Sequence, residues 1–419
     1  MTKTAHHPLP LSEQIAPADA AKLAHAVREA YREETPIYPI GGGTSLAFGL
    51  PAKKLGLGIS LANMNRVVDY PARDMTITVE SGITMAALAE RLAGEGQRLP
   101  IDVPHAEQAT LGGVIATNFS GPRRYGAGTM RDYVIGIQAV DGAGTPFSGG
   151  GRVVKNVAGY DFCKLLTGSL GTLAIITQAT LKVRPVPKAS EILYCEVADF
   201  AEAEDRLAAL VNSATTPIAI ELLAGPAWKD DDAFEPLDHR AVGRLVVGLE
   251  GTRDEVDWMR RQLASEWDEA TGSDRDRASA KHVEASETPG LWRRLTEFPA
   301  VDDTLVIKAN MLSEAVAPFI ATLLEIDPSG SIAAHAGSGV VLARLPGVPP
   351  GEASALLISR LQPAARAAGG NVVVLGHPDG MELTRQTVWG SSSDADGMMR
   401  LVKDQFDPLG LLNPGRFVV

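Results

Sequence analysis

Hydrophobic positions along this chain alternate between two periods. From Asp19 to Glu34, Leu23, Val27 and Tyr31 return every fourth residue with Ala24 beside them, which predicts an amphipathic helix. TPIYPI predicts a short strand leading into the loop GGGTSLAFGLP, and LGLGISLANMNRVVDYPARDMTITVESGIT alternates strand and turn signals. MAALAERLAGEG predicts a helix stopped by glycine, and TLGGVIATNFSG a short helix between loops. YVIGIQAVDGAGTPFSGGG reads as a hairpin turned at DGAG, and DFCKLLTGSLGTLAIITQATLKVRPVP as helix, glycine-rich bend and long strand. After RPVPK the rhythm changes. ILYCEVADFAEAEDRLAALVNSATTPIAIELL, GRLVVGLEGTRDEVDWMRRQLASEW and TLVIKANMLSEAVAPFIATLLEI each run strand then helix, SIAAHAGSGVVLARLPG forms a hairpin, and EASALLISRLQPAARAAGGNVVVLG runs helix then strand. Such alternation predicts a sheet covered by helices. The polar stretch ASEWDEATGSDRDRASAKHVEASETPG is expected as a surface loop or weak helix, and the apolar tail FDPLGLLNPGRFVV as a packed segment.

Composition narrows the classes. A chain of 419 residues exceeds what one core usually serves, so two domains are expected. The net charge of −12, without a Lys/Arg run, argues against a nucleic-acid partner. Two cysteines, Cys163 and Cys195, cannot hold an iron–sulfur cluster alone, which takes about four thiolates. No apolar run reaches the length of about 18 residues that spans a bilayer. MTKTAHHPLPLSEQ lacks the apolar core of a secretory signal, so a cytoplasmic setting is expected, with peripheral membrane association only through partners.

Four blocks carry candidate chemistry. Ile40-Gly41-Gly42-Gly43-Thr44-Ser45 lets the backbone turn sharply and offer several N–H groups and two hydroxyls to one anion. It is neither a Rossmann fingerprint nor a P-loop, because no helical pattern and no lysine follow, and alone it also fits a flexible turn. Thr110-Leu111-Gly112-Gly113-Val114-Ile115-Ala116-Thr117-Asn118 places two glycines in the first turn of a helix, at a cost of about 1 kcal/mol each. Pyrophosphate at the helix N-terminus and tight helix–sheet packing explain that equally. In Gly121-Pro122-Arg123-Arg124-Tyr125-Gly126 two arginines stand beside an aromatic and could face phosphate or the polar rim of a ring, whereas Arg131 and Asp132 read as a local surface pair. Asn156-Val157-Ala158-Gly159-Tyr160-Asp161 precedes Leu166-Thr167-Gly168-Ser169-Leu170-Gly171-Thr172-Leu173, whose glycines suit close approach to a flat ring.

In this order, GGGTS, LPIDVPHAEQATLGGVIATNFSG, RRYG, GSLGTL and the ending DPLGLLNPGR resemble the FAD-binding proteins of the vanillyl-alcohol-oxidase and p-cresol-methylhydroxylase (PCMH) type. PHAEQATLGG, SGPRRYGAGTMRDYVIG and GGGRVVKNVAGYDFCKLLTGSLGTL are similar to the branch of that family formed by glycolate oxidase flavin subunits. The resemblance implies an α+β fold with a two-subdomain FAD-binding domain over residues 1–187. A smaller cap of antiparallel sheet and helices would span 188–380, and 381–419 would return to the FAD domain. It implies that Gly41–Ser45 with Ile40, and Thr110–Gly113, hold the pyrophosphate. Pro104, Ala116, Thr117 and Asn118 would lie by the ribityl chain and ring, and Arg124 and Tyr125 at the isoalloxazine edge. Gly171 and Ile176 would meet the adenine, and Asn413 would return to the flavin side. Thr44 stands where covalently flavinylated relatives carry histidine, so non-covalent FAD is expected.

One departure stands out. Relatives that oxidise 2-hydroxy acids carry an HxGDGNxH-like motif for a divalent metal, and here the matching stretch is His335-Ala336-Gly337-Ser338-Gly339-Val340. No metal site is expected; His335 is expected as a hydrogen-bonded residue in a turn, and the isolated chain as a poor catalyst. Three functions fit. The chain can be the flavin subunit of a glycolate (2-hydroxy-acid) dehydrogenase complex, alongside a second flavoprotein subunit and an iron–sulfur subunit that receives the electrons. It can be an assembly subunit with structural FAD. It can be a stand-alone FAD-linked dehydrogenase for another alcohol or hydroxy acid.

Overall fold

Asp19 opens the first helix, Ala20–Arg32, by accepting a hydrogen bond from the Lys22 N–H at 2.8 Å. Its stripe Leu23, Ala24, Val27 and Ala30 is buried. The structure is a computed structural model and describes residues 9–152, 159–270, 279–391 and 394–417. The chain divides into two compact units. The first takes the chain up to Ser120, Gly128–Val186 and the segment from Ser391; the second takes Gly121–Ala127 and Pro187–Gly390.

In the first unit a parallel three-stranded sheet is ordered Leu11–Ile15, Gly56–Ser60, Ile37–Ile40. An antiparallel five-stranded sheet is ordered Val67–Asp69, Thr76–Glu80, Ala174–Lys182, Val134–Asp141, Pro146–Gly150. The DGAG hairpin forms as its sequence predicts: Asp141 Oδ1 accepts from the N–H groups of Ala143 and Thr145. The tail joins the parallel sheet, where the Ile37 N–H donates to Leu411 O at 2.8 Å and the Asn413 N–H to Ile37 O at 2.9 Å.

The second unit is built on one antiparallel eight-stranded sheet. Its order is Lys281–His282, Ala189–Val197, Gly243–Gly251, Ala219–Ala224, Ser331–His335, Val340–Leu345, Leu305–Asn310, Asn371–Gly376. Both faces are covered. One packs Leu222, Leu245, Ile307 and Val341 with residues of helices Phe200–Val211, Arg253–Ala270 and Val316–Ile326. The other packs Leu223, Val246, Ala333 and Leu342 with Trp228, Trp292 and Phe298. A sheet buried on both faces explains strands such as AIELLA, buried throughout and apolar except for Glu221. The polar stretch after Leu263 differs from the sequence expectation. ASEWDEA completes helix Arg253–Ala270, because Val256, Met259, Leu263 and Trp267 form one buried stripe; residues 271–278 lie outside the described residues. Among the described residues no helix is long and apolar enough to cross a membrane.

Candidate functional site

Strand Ile37–Ile40 delivers the loop Gly41–Ser45, which lies against the segment Gln108–Gly113. The glycines there have separate causes. A Cβ on Gly41 would strike the Thr110 hydroxyl, one on Gly42 the Gln108 carbonyl, and Gly43 has φ 78°, the left-handed region. Among the described residues no backbone N–H from Gly41 to Ser45 donates to a protein acceptor. Helix Leu111–Thr117 buries Leu111, Val114 and Ile115, while Gly113, Ala116 and Thr117 stay half-buried on the other side. In its first turn the Leu111 N–H donates to Ile83 O at 2.9 Å and the Gly112 N–H to Ser81 O at 2.7 Å. The Gly113 N–H has no such partner among the described residues. The two glycines that looked equivalent therefore separate. A Cβ on Gly112 would press to 2.9 Å from Ser81 Cβ, so that position serves packing; on Gly113 it would sit 3.5 Å from Thr110 Oγ1, an ordinary contact. Thr117 Oγ1 turns back to donate to Gly113 O at 2.9 Å, and Asn118 ends the helix at φ 50°.

The second glycine-rich turn closes on this helix. The Gly168 N–H donates to Ile115 O at 2.9 Å and the Leu170 N–H to Ala116 O at 2.8 Å. Gly171, at φ 65°, leaves space beside Asn413, whose side-chain amide donates to Leu170 O at 2.8 Å. The tail is tied by residues that sequence reasoning did not single out. Buried Asp407 accepts from the Leu411 and Leu412 N–H groups and from Lys403, whose ammonium also donates to Thr172 O at 2.6 Å. Arg416 donates to the carbonyls of Leu46, Phe48 and Leu50. Asp407 and Arg416 bracket the motif DPLGLLNPGR, which was their only sequence signal. Ile176 is buried within strand Ala174–Lys182 and offers only its backbone, and Pro104 is half-buried in the loop before Thr110. Ile40 takes part through its carbonyl, which accepts from the Leu61 N–H.

Arg124 and Tyr125 belong to the second unit. The Tyr125 ring occupies the space a Cβ on Gly337 would need, and the Gly126 N–H donates to Ile218 O at 3.0 Å. Arg123 is structural: it meets Glu250 at 2.8 Å and lies 4.0 Å over the Trp292 ring. Asp132 caps the turn at Thr129 rather than serving only a surface pair. Asn156, Val157 and Ala158 lie outside the described residues; Gly159 has φ 86°, Tyr160 is exposed, and Asp161 caps helix Phe162–Leu166. His335 is not in a turn. It ends strand Ser331–His335, is 2% exposed, and its Nδ1 lies 2.8 and 3.0 Å from the carboxylate oxygens of buried Glu221. Its Nε2 is buried without a partner. Among the described residues no group of three or more His, Cys, Asp or Glu side chains could hold a metal ion. Burial pushes the thiols up, Cys163 to about 11 and Cys195 to about 12, so neither is a ready nucleophile.

Residues 13–149 match the FAD binding domain family. The chain is 36% identical over 176 residues to glycolate oxidase subunit GlcE of Escherichia coli (strain K12), covering 42% of this chain and 50% of that protein. It is 27% identical over 352 residues to a probable mitochondrial D-lactate dehydrogenase of Danio rerio, covering 80% and 69%. The chain spans about half the length of the glycolate oxidase subunits it matches, 50% and 52%. Among solved structures, alkyldihydroxyacetonephosphate synthase superposes with TM-score 0.68 at 20% identity, covering 96% of this chain and 76% of that one. The first unit fits the cofactor. Thr110 Oγ1, Ser81 Oγ, Asn118 Oδ1 and Ser169 Oγ, along helix Leu111–Thr117, are buried without hydrogen-bond partners, a state that costs about 1–3 kcal/mol each. They adjoin the unpaired N–H groups of Gly41–Ser45 and Gly113. A ligand with phosphates, a polyol chain and a polar ring edge supplies the acceptors and donors this arrangement lacks. Residues 13–149 therefore form an FAD-binding domain of the PCMH type, and the chain shares the fold of alkyldihydroxyacetonephosphate synthase.

Proposed function

We propose that this chain takes part in the flavin-dependent oxidation of a small 2-hydroxy acid, glycolate or D-lactate in class, as the flavoprotein subunit of a glycolate-oxidase-type assembly. The observation that carries this reading is the matched domain, at 36% identity to a glycolate oxidase subunit, together with the unpaired donors that suit FAD. In it, Gly41–Ser45 and Gly113 hold the pyrophosphate by backbone N–H groups. Ala116, Thr117 and Asn118 border the ribityl chain, and the turn about Gly171, held by Asn413, borders the adenine. Bound FAD supplies a two-electron acceptor. An iron–sulfur partner subunit would receive the electrons, since two cysteines cannot hold a cluster in this chain.

Buried Glu221 holds His335 through Nδ1, which supports a part for this histidine in binding substrate. The test is anaerobic addition of glycolate or D-lactate to the purified, FAD-loaded chain. Loss of the oxidised flavin band supports the reading, and an unchanged spectrum with every short 2-hydroxy acid refutes it. Co-purification with an iron–sulfur protein from the native source tests the assembly separately.

A further inference from the structure

In the second unit, His335 Nε2 and the Lys308 ammonium have no protein partner among the described residues. His335 lies in the side-chain row of Glu221 and Val340, and Lys308 lies opposite Leu342 and Val373, on the face that carries Ala333 and Leu342. Two strand spacings of about 4.8 Å and a two-residue offset of about 3.4 Å each put their Cα atoms about 12 Å apart. Both side chains stand on one face of the sheet, at a separation that a ligand of three or four carbons can bridge. Glu221, as a carboxylate, can only accept, so Nδ1 donates to it, and in the neutral imidazole Nε2 is left as a buried acceptor without a protein donor. Lys308 has no hydrogen bond or ion pair among the described residues. Burial lowers its ammonium to about 8, and the positive charge of Arg124 acts in the same direction. A half-buried ammonium without an ion pair suits an anion.

We propose that Glu221, His335 and Lys308 form a metal-free site for a small 2-hydroxy carboxylate. Lys308 meets the carboxylate, and His335, oriented by Glu221, accepts a hydrogen bond from the 2-hydroxyl through Nε2. The inference rests on the reading that the substrate is a 2-hydroxy acid. It replaces the metal of the HxGDGNxH relatives with an ammonium and a carboxylate-held imidazole, the donor set for a metal being absent among the described residues.

The probe is 2-hydroxyisobutyrate, which has no hydrogen on C2 and cannot be oxidised there; isobutyrate, lacking the hydroxyl, is its control. Binding to the full FAD-loaded chain is read by calorimetry. The hydroxy acid should bind about five- to ten-fold tighter than the control, the size of one hydrogen bond. Lys308→Met should weaken both acids about ten-fold or more, as loss of a charged contact does. Glu221→Gln combined with His335→Phe, which leaves no buried carboxylate unpaired, should abolish the preference but not binding. Equal affinity for the two acids in the wild type overturns the site, as does an unchanged affinity in a folded Lys308→Met chain. A chelator, which needs no variant, should leave the preference intact; its loss, restored by a divalent cation, overturns the metal-free assignment. Flavin bleaching by glycolate is followed in parallel. Bleaching with Lys308-independent binding refutes this site and leaves the functional reading standing; Lys308-dependent binding that keeps the hydroxyl preference, without bleaching, does the reverse.

Discussion

Gly42 and Gly113 both lack a side chain, for opposite reasons. Gly42 has no room for a Cβ against the Gln108 carbonyl, whereas Gly113 has ordinary space within the protein and a free N–H. Gly42→Ala should therefore lower the melting temperature even without cofactor. Gly113→Ala should melt within about 0.5–1 kcal/mol of the parent, a helix gaining propensity, yet purify with a clearly reduced ratio of flavin to protein absorbance. A Gly113→Ala chain fully loaded with FAD would remove this residue from the pyrophosphate site. Thr44 carries the second expectation at this scale. With no histidine after the glycines, acid precipitation should leave FAD in the supernatant; a fluorescent protein band on a denaturing gel would contradict it. The glycine blocks were legible in the sequence, but the division of labour between Gly112 and Gly113 was not. It depends on Ser81, 31 residues upstream, which only the fold brings under Gly112.

Among the elements, the tail and the residue that leads into the short helix Arg124–Ala127 are held by buried ion pairs. Asp407 is 1% exposed and joins Lys403 to the backbone of Leu411 and Leu412. Asp407→Asn leaves a buried ammonium without its charge partner and should cost about 3–5 kcal/mol in urea unfolding. Arg123→Met should cost a similar amount by stranding Glu250, and the double variant Arg123→Met/Glu250→Gln should recover most of it. Additive losses in that pair would show that the two residues do not act together. Strand–helix order was legible because the apolar periods were strong. The continuation of helix Arg253–Ala270 was not, because its buried stripe thins to Trp267 alone among charged neighbours. His335 was misplaced in a turn for a related reason: HAGSG reads as a loop, while the strand that receives the histidine is fixed by its pairing with Val340 and its buried contact with Glu221.

At the scale of the molecule, one unit carries the dense set of unpaired backbone donors and the other a buried imidazole and an unpaired ammonium. Motif order alone pointed to the cofactor, because glycines are locally unusual and their spacing survives in sequence. The polar groups of the second unit escaped notice. Glu221, Lys308 and His335 lie on three separate strands, in segments whose surroundings are apolar, and each alone looks like a single polar residue in a strand. The measurement that tests the account most directly is an anaerobic titration of the FAD-loaded chain with glycolate and D-lactate, following the oxidised flavin absorbance near 450 nm. The account expects the band to bleach with at least one of the two and to stay unchanged with acetate or propionate, which lack the hydroxyl. A fully FAD-loaded, folded chain whose band persists with both hydroxy acids would contradict it.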